Sequence, residues 1–250
     1  MAISDTARKN HDELFPGHVS TLAVTDPELI EYFDNFAFDE VLQHSDLDPR
    51  TRLMTQLAAL IAGQALREYR VMLGAALTAG VTPVEAKEIV YQAVPYAGMG
   101  KVLDFLHATN EVLTERGIDL PLPGQSTTSP ETRAEKGLAV QKQIVGAEAV
   151  DALYANAPDD EQHIQRLLSA NCFGDHYTRG GLDLQTRELL TLAMLISLGG
   201  ADPQVKGHVQ ANLNVGNGRA TMLAVITQLL PFVGYPRTLN ALRALDEITR

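Results

Sequence analysis

The chain contains the same segment twice. Asp48-x-x-Thr51-Arg52 returns as Asp183-x-x-Thr186-Arg187, and Leu57-Ala58-x-Leu60-Ile61 as Leu192-Ala193-x-Leu195-Ile196, both 135 positions later. Farther along, Leu77-x-x-Gly80 returns as Leu213-x-x-Gly216 and Pro95-Tyr96-x-Gly98 as Pro231-Phe232-x-Gly234, now 136 positions later. The second copy therefore carries one extra residue between Leu198 and Lys206, while Phe38 and Phe173 extend the first register upstream. Self-similarity at a fixed spacing means that one supersecondary unit is built twice. Between the copies, residues 117–132 hold Pro121, Pro123, Gly124, Pro130 and a run of Ser and Thr, which is linker composition. The expected organisation is a first module over 1–116, a linker over 117–132 and a second module over 133–250.

Within each copy the apolar spacing is helical. Leu189, Leu192, Ala193, Leu195 and Ile196 recur at intervals of three and four, and strand-like alternation is absent. Asp48-Pro49 and Asp202-Pro203 each set a side-chain acceptor before a proline suited to a first helical turn. Thr82-Pro83-Val84-Glu85 has the pattern of a capping box, and Gly80 and Gly216 stand where a left-handed residue would end a helix. The spacing predicts helices near 27–42, 49–63, 66–79, 83–94 and 99–115, then 160–174, 184–198, 203–215, 219–230 and 236–249, with others near 5–14 and 132–155. The predicted fold is all-α, two helical bundles in tandem.

Composition narrows the function. With 20 Lys+Arg against 31 Asp+Glu the net charge is −11, so the basic footprint of a nucleic-acid binder is missing. A single cysteine, Cys172, excludes an intrachain disulfide, a Cys-x-x-Cys redox pair and a cysteine-built zinc site. The most apolar run, 189–201, falls short of the roughly 20 residues that a spanning helix needs. Asp5, Arg8, Lys9, His11, Asp12 and Glu13 leave no apolar signal-peptide core near the start. A cytoplasmic protein with no membrane or nucleic-acid partner is expected.

The two copies differ where chemistry would sit. Glu188, His208 and Asn212 of the second copy match Leu53, Met72 and Ala76 of the first. His208 and Asn212 are four apart and share a helix face with Val205. Polar groups at positions that the sister copy fills with hydrophobes point to a pocket in the second module alone, because burying them is costly without a reason. A structural Glu188–His208 hydrogen bond, or a solvated Glu188, would explain the same pattern without chemistry. Arg179, Arg187, Lys206 and Arg219 gather around these motifs, as a small anionic substrate would require, although surface ion pairs are the alternative. Arg52 matches Arg187, so Arg187 reads as a packing or helix-start residue, leaving Arg179 and Lys206 as the anion-binding candidates. His176 is a candidate for lining the pocket. Cys172 reads as a packed thiol, and Gln92 and Gln228, shared by both copies, read as structural.

The run Cys172-Phe173-Gly174-Asp175-His176-Tyr177-Thr178-Arg179-Gly180-Gly181-Leu182-Asp183-Leu184-Gln185-Thr186-Arg187-Glu188-Leu189-Leu190, followed by His208-x-x-x-Asn212-Leu213-x-x-Gly216 and Pro231-Phe232-x-Gly234-Tyr235-Pro236, resembles the carboxymuconolactone decarboxylase family. The resemblance covers nearly the whole chain as two modules of the alkylhydroperoxidase D-like superfamily. Peroxidase relatives place Cys-x-x-Cys four residues ahead of the histidine, where this chain has Ala201 and Gln204, and Ala65 and Glu68 in the first copy. The dithiol reaction is therefore excluded. The resemblance implies a Glu188–His208 proton relay and decarboxylation of a carboxylated lactone without metal or organic cofactor, and on the mechanism that this reaction requires Asn212 is the candidate donor to the developing oxyanion. Because single-module relatives form hexamers, it also implies a homotrimer of this tandem chain. A cofactor-free lyase or isomerase acting on another enolisable acid, and a non-catalytic assembly or sensor protein, remain the alternatives.

Overall fold

The computed structural model describes residues 2–18 and 20–250. The first module contains α1 (Asp5–Leu14), α2 (Leu22–Thr25), α3 (Pro27–Asn35), α4 (Pro49–Ala62), α5 (Leu66–Thr78), α6 (Pro83–Ala97) and α7 (Met99–Glu115). The second contains α8 (Arg133–Val145), α9 (Ala147–Asn156), α10 (Gln162–Leu167), α11 (Leu184–Leu198), α12 (Asp202–Asn214), α13 (Arg219–Val233) and α14 (Tyr235–Thr249). Two places leave regular α-geometry: α3 runs on through a π-helical turn (Phe36–Glu40) and a 3-10 turn (Val41–His44), and α10 through a π-helical segment (Leu168–Tyr177). No strand occurs among the described residues.

Local sequence explains most of these boundaries. The Asp48 carboxylate accepts from the backbone N–H of Arg50 and Thr51, both at 3.1 Å, and Asp183 accepts from Thr186 N at 2.7 Å. Thr82 and Glu85 close a reciprocal capping box at the start of α6. Gly80 (φ 90°) and Gly216 (φ 96°) end α5 and α12 in the left-handed region. Three expectations change. Asp202 lies inside α12, whose N-cap is Ala201, so that helix lacks a side-chain cap. The predicted 132–155 helix is two, broken at Gly146 (φ 101°). Helices α6 and α13 run past Pro95 and Pro231, which occupy final turns where a missing N–H removes a single ladder bond.

The two modules interlock about α4 and α11. Every residue from 53 to 62 and from 187 to 197 is buried, so both helices are enclosed on all sides, and the polar groups they carry, Arg187 and Glu188 above all, are enclosed with them. Helix α4 meets α11 and α13, while α11 meets α4 and α6; α5 packs on α4 and α7 as α12 packs on α11 and α14. This reciprocity is an approximate internal twofold, and a single apolar core runs across it. The extra residue of the second copy falls at the turn after α11, where Gly199 (φ 69°) and Gly200 (φ 68°) stand against the single left-handed Gln64 (φ 60°) after α4. Helix α8 lies backbone to backbone on the π-helical segment. A Cβ on Gly137 would stand 2.0 Å from the Ser169 carbonyl oxygen, so no other residue fits there. None of the described helices is long and apolar enough to cross a membrane.

Candidate functional site

The π-helical segment, α11, α12 and the end of α6 converge on one carboxylate. Glu188 is fully buried on α11 and receives two hydrogen bonds: from the Tyr177 hydroxyl to Oε1 at 2.6 Å, and from His208 Nδ1 to Oε2 at 2.8 Å. Burial and the neighbouring carboxylate push the Tyr177 hydroxyl well above its ordinary range, and burial does the same to Tyr96, so both remain donors. Since the Tyr177 proton is committed to Glu188, its oxygen accepts from Tyr96 and Thr191, each at 2.8 Å. Gln92 donates to Thr191 Oγ1 at 3.3 Å. Every bond in this chain points toward Glu188. With the Nδ1 proton given to Oε2, the His208 Nε2 is left for chemistry, on a ring whose side chain is 17% exposed beside a carboxylate that is 0% exposed. The Tyr96 ring stands edge-on to the imidazole at 5.9 Å.

Tyr96 belongs to the first module. Its register partner is Phe232, and Tyr177 matches Leu42. The contrast that singled out Glu188 and His208 would thus have found both tyrosines, had it been followed onto α6 and the segment before α11. The counterpart site near Leu53, Met72 and Phe232 is hydrophobic: Leu53 and Met72 are buried, and Phe232 lies edge-on to Phe33 at 6.1 Å.

Asn212 is completely buried and supports the pair rather than facing outward. Its amide donates to the Glu188 carbonyl at 3.1 Å and the His208 carbonyl at 2.7 Å, while its oxygen accepts from Asn217 at 2.8 Å. No donor is left for an oxyanion, so its task here is to tie α12 to α11 beside Glu188. Lys206 reaches Glu247 on α14, and Arg219 bonds Asp246 at 2.6 Å, so neither touches the pair. His176 is half-buried, and its enclosed Nδ1 has no hydrogen-bond partner among the described residues; burial foremost holds its imidazole below its ordinary value. Cys172 packs with Ile144, Phe173 and Tyr177, and burial pushes its thiol up to about 12.

Arg179 enters a second polar cluster. Its Nε and Nη2 grip Glu88 at 2.9–3.1 Å, and Arg187 Nη2 reaches the other oxygen of Glu88 at 3.0 Å. Arg187 also donates to the Arg179 and Gly180 carbonyls and, through Nη1, to Gln92 at 2.9 Å. Arg187 is fully buried and crosses between modules, in keeping with its reading as a packing residue. Gly181 (φ 83°) makes this geometry possible, because a Cβ there would lie 2.9 Å from Val84 Cγ1 and 3.0 Å from Glu88 Cγ. Glu88 gave no signal in the sequence; it matches Ala224 and is one acid among many.

Comparison with known proteins places both copies in one family. The model of the carboxymuconolactone decarboxylase family matches residues 27–111 and again 162–247. A 4-carboxymuconolactone decarboxylase of Acinetobacter baylyi is 29% identical over 118 residues, 47% of this chain and 87% of that protein.

Proposed function

The chain belongs to the carboxymuconolactone decarboxylase family, and from that premise we propose that it decarboxylates a carboxylated lactone at the Glu188–His208 pair without a cofactor. The observation that carries the reading is a buried carboxylate that takes its bonds from Tyr177 and His208 and leaves Nε2 of a partly exposed imidazole unbonded. Loss of carbon dioxide breaks one C–C bond and sends its electron pair into the conjugated ring as a dienolate ending on the lactone oxygen. Protonated His208 then delivers its Nε2 proton to the carbon beside the carbonyl and returns to the neutral form, with Nδ1–H still on Glu188. Solvent restores the proton. A fixed acid of this kind contributes about 10²–10⁴-fold. Tyr177, Tyr96 and Asn212 hold the pair in place.

The substrate is a small anion whose reacting carboxylate leaves, and the first module contributes Tyr96 rather than a second site. We further propose a homotrimer. Val24, Leu29, Tyr32, Tyr235 and Leu239 are exposed on the described surface and supply apolar area for contact between copies. A stable monomer by light scattering at micromolar concentration would reject that assembly.

The deciding experiment follows carbon dioxide release and ultraviolet absorbance with 4-carboxymuconolactone and a panel of β-keto acids. Wild-type turnover should fall about a hundredfold or more in His208→Ala while the fold is kept. Full activity in His208→Ala would make the pair structural. Turnover of another enolisable acid alone would favour a different lyase or isomerase, and no turnover of any would favour a non-catalytic scaffold.

A further inference from the structure

We propose that a cavity of about 340 Å³ between α6, α7 and the linker is a binding site for a ring-sized carboxylate, separate from the Glu188–His208 pair. The helices and the segment before α11 line it with Lys87, Glu88, Tyr91, Asn110 and Arg179, and Val84 and the linker strip from Leu120 to Gln125 complete the wall. The volume falls in the range of roughly 300–1,000 Å³ typical of small-molecule sites.

Charge is the first argument. Arg179 and Arg187 share the single carboxylate of Glu88, which leaves one guanidinium charge uncompensated in a cluster where Glu88 is 1% and Arg187 0% exposed. Lys87 adds a second. Its ammonium donates to the neutral Asn110 amide oxygen and has no carboxylate partner among the described residues. Burial holds that lysine below its ordinary value, as expected of a cation lacking a counter-ion. Two unmatched positive charges beside a cavity, in a chain of net charge −11, call for an anion.

Geometry supplies the rest. Arg179 spends Nε and Nη2 on Glu88 and lies 5.0 Å over the Tyr91 ring, so its guanidinium is fixed in plane while Nη1 makes no hydrogen bond among the described residues. Leu120, Pro121, Leu122 and Pro123 line the same cavity, an apolar wall that suits a ring better than a small hydrated ion. The linker is pinned there: Gly180 N donates to the Gln125 carbonyl at 2.9 Å, and Thr127 Oγ1 to the Thr178 carbonyl at 2.7 Å. The favoured ligand carries a carboxylate toward Lys87 and Arg179 and a compact ring toward the prolines.

The site is tested on the full chain by calorimetric titration with phthalate, using neutral phthalamide and inorganic phosphate as comparators. Phthalate should bind saturably at one site per chain, phthalamide should give no heat, and phosphate should bind at least about tenfold more weakly. Lys87→Met, at a partly exposed position, should weaken phthalate about tenfold or more with an unchanged melting temperature; Arg179→Lys, which keeps the charge but loses the planar fork, should also weaken it. His208→Ala should leave binding unchanged, which separates this site from the decarboxylase reading. The proposal is overturned by no saturable phthalate binding up to about 10 mM, by phosphate binding as tightly as phthalate, by binding indifferent to Lys87→Met, or by binding lost in His208→Ala.

Discussion

Replacing Tyr177 with Phe removes one oxygen from a fully packed position and tests the direction of the network around Glu188. Tyr177 is 1% and Glu188 0% exposed, so no water replaces the lost donor at Oε1. A hydrogen bond to a buried charged group is worth about 1.5–3 kcal/mol, and the acceptor that Tyr177 offers Tyr96 and Thr191 adds about 1 kcal/mol. The expected loss is therefore about 2.5–4 kcal/mol, a drop in melting temperature of roughly 5–15 °C for a chain of this size at fixed protein concentration. Tyr96→Phe should cost less, about 1 kcal/mol, because Tyr96 donates to a neutral hydroxyl rather than to the carboxylate. The double variant should cost less than the sum, since each tyrosine has already lost the other as partner. Urea denaturation of the two single variants and the double variant measures all three quantities. A Tyr177→Phe chain within about 0.5 kcal/mol of wild type, or a Tyr96→Phe chain less stable than Tyr177→Phe, would refute the assigned donor order.

Met72→Ala empties a position that is 2% exposed in the first module, so chemical denaturation should register a loss of about 2–4 kcal/mol while turnover stays near wild type. The Cys172 thiol, pushed by burial up to about 12, should resist iodoacetamide at pH 8 and react once urea unfolds the chain. The folded-state value of His176 lies below its ordinary 6.5, so the unfolded chain takes up the proton first; stability that is full above pH 6.5 is lost as pH falls below it, and His176→Gln should flatten that part of the stability–pH curve.

The repeat made the fold legible, because a doubled pattern of helical spacing and caps constrains both copies at once, and Asp48, Asp183, Thr82 and Gly216 act where their residue types require. What escaped the sequence is backbone detail set by packing. The π-helical segment Leu168–Tyr177 meets the start of α8 at Gly174, where a Cβ would stand 2.1 Å from the Arg133 carbonyl oxygen, and nothing in the local spacing records that contact. For the candidate site, exchange of polar for apolar residues at matched positions singled out Glu188, His208 and Asn212, which the structure brings together. It gave residue type without direction: Asn212 bonds inward to backbone, Lys206 turns to α14, and Arg179 goes to Glu88. Tyr96 was hidden because its contribution crosses the twofold, and sequence offset relates equivalent positions, not neighbours.

That crossing has a genetic consequence. In a pair of identical single modules, one codon would specify both a Tyr96 and its mate, so any hydroxyl given to one site would be written into the other. Fusing the modules gives each position its own codon. Tyr96 and Phe232 can then differ, as do Glu188 and Leu53, and one half of the chain can specialise as a wall for the other. Cutting the chain in the linker would leave the half that holds Glu188 and His208 without the phenol that abuts its imidazole, so the pair and its wall stay together only in the fused chain.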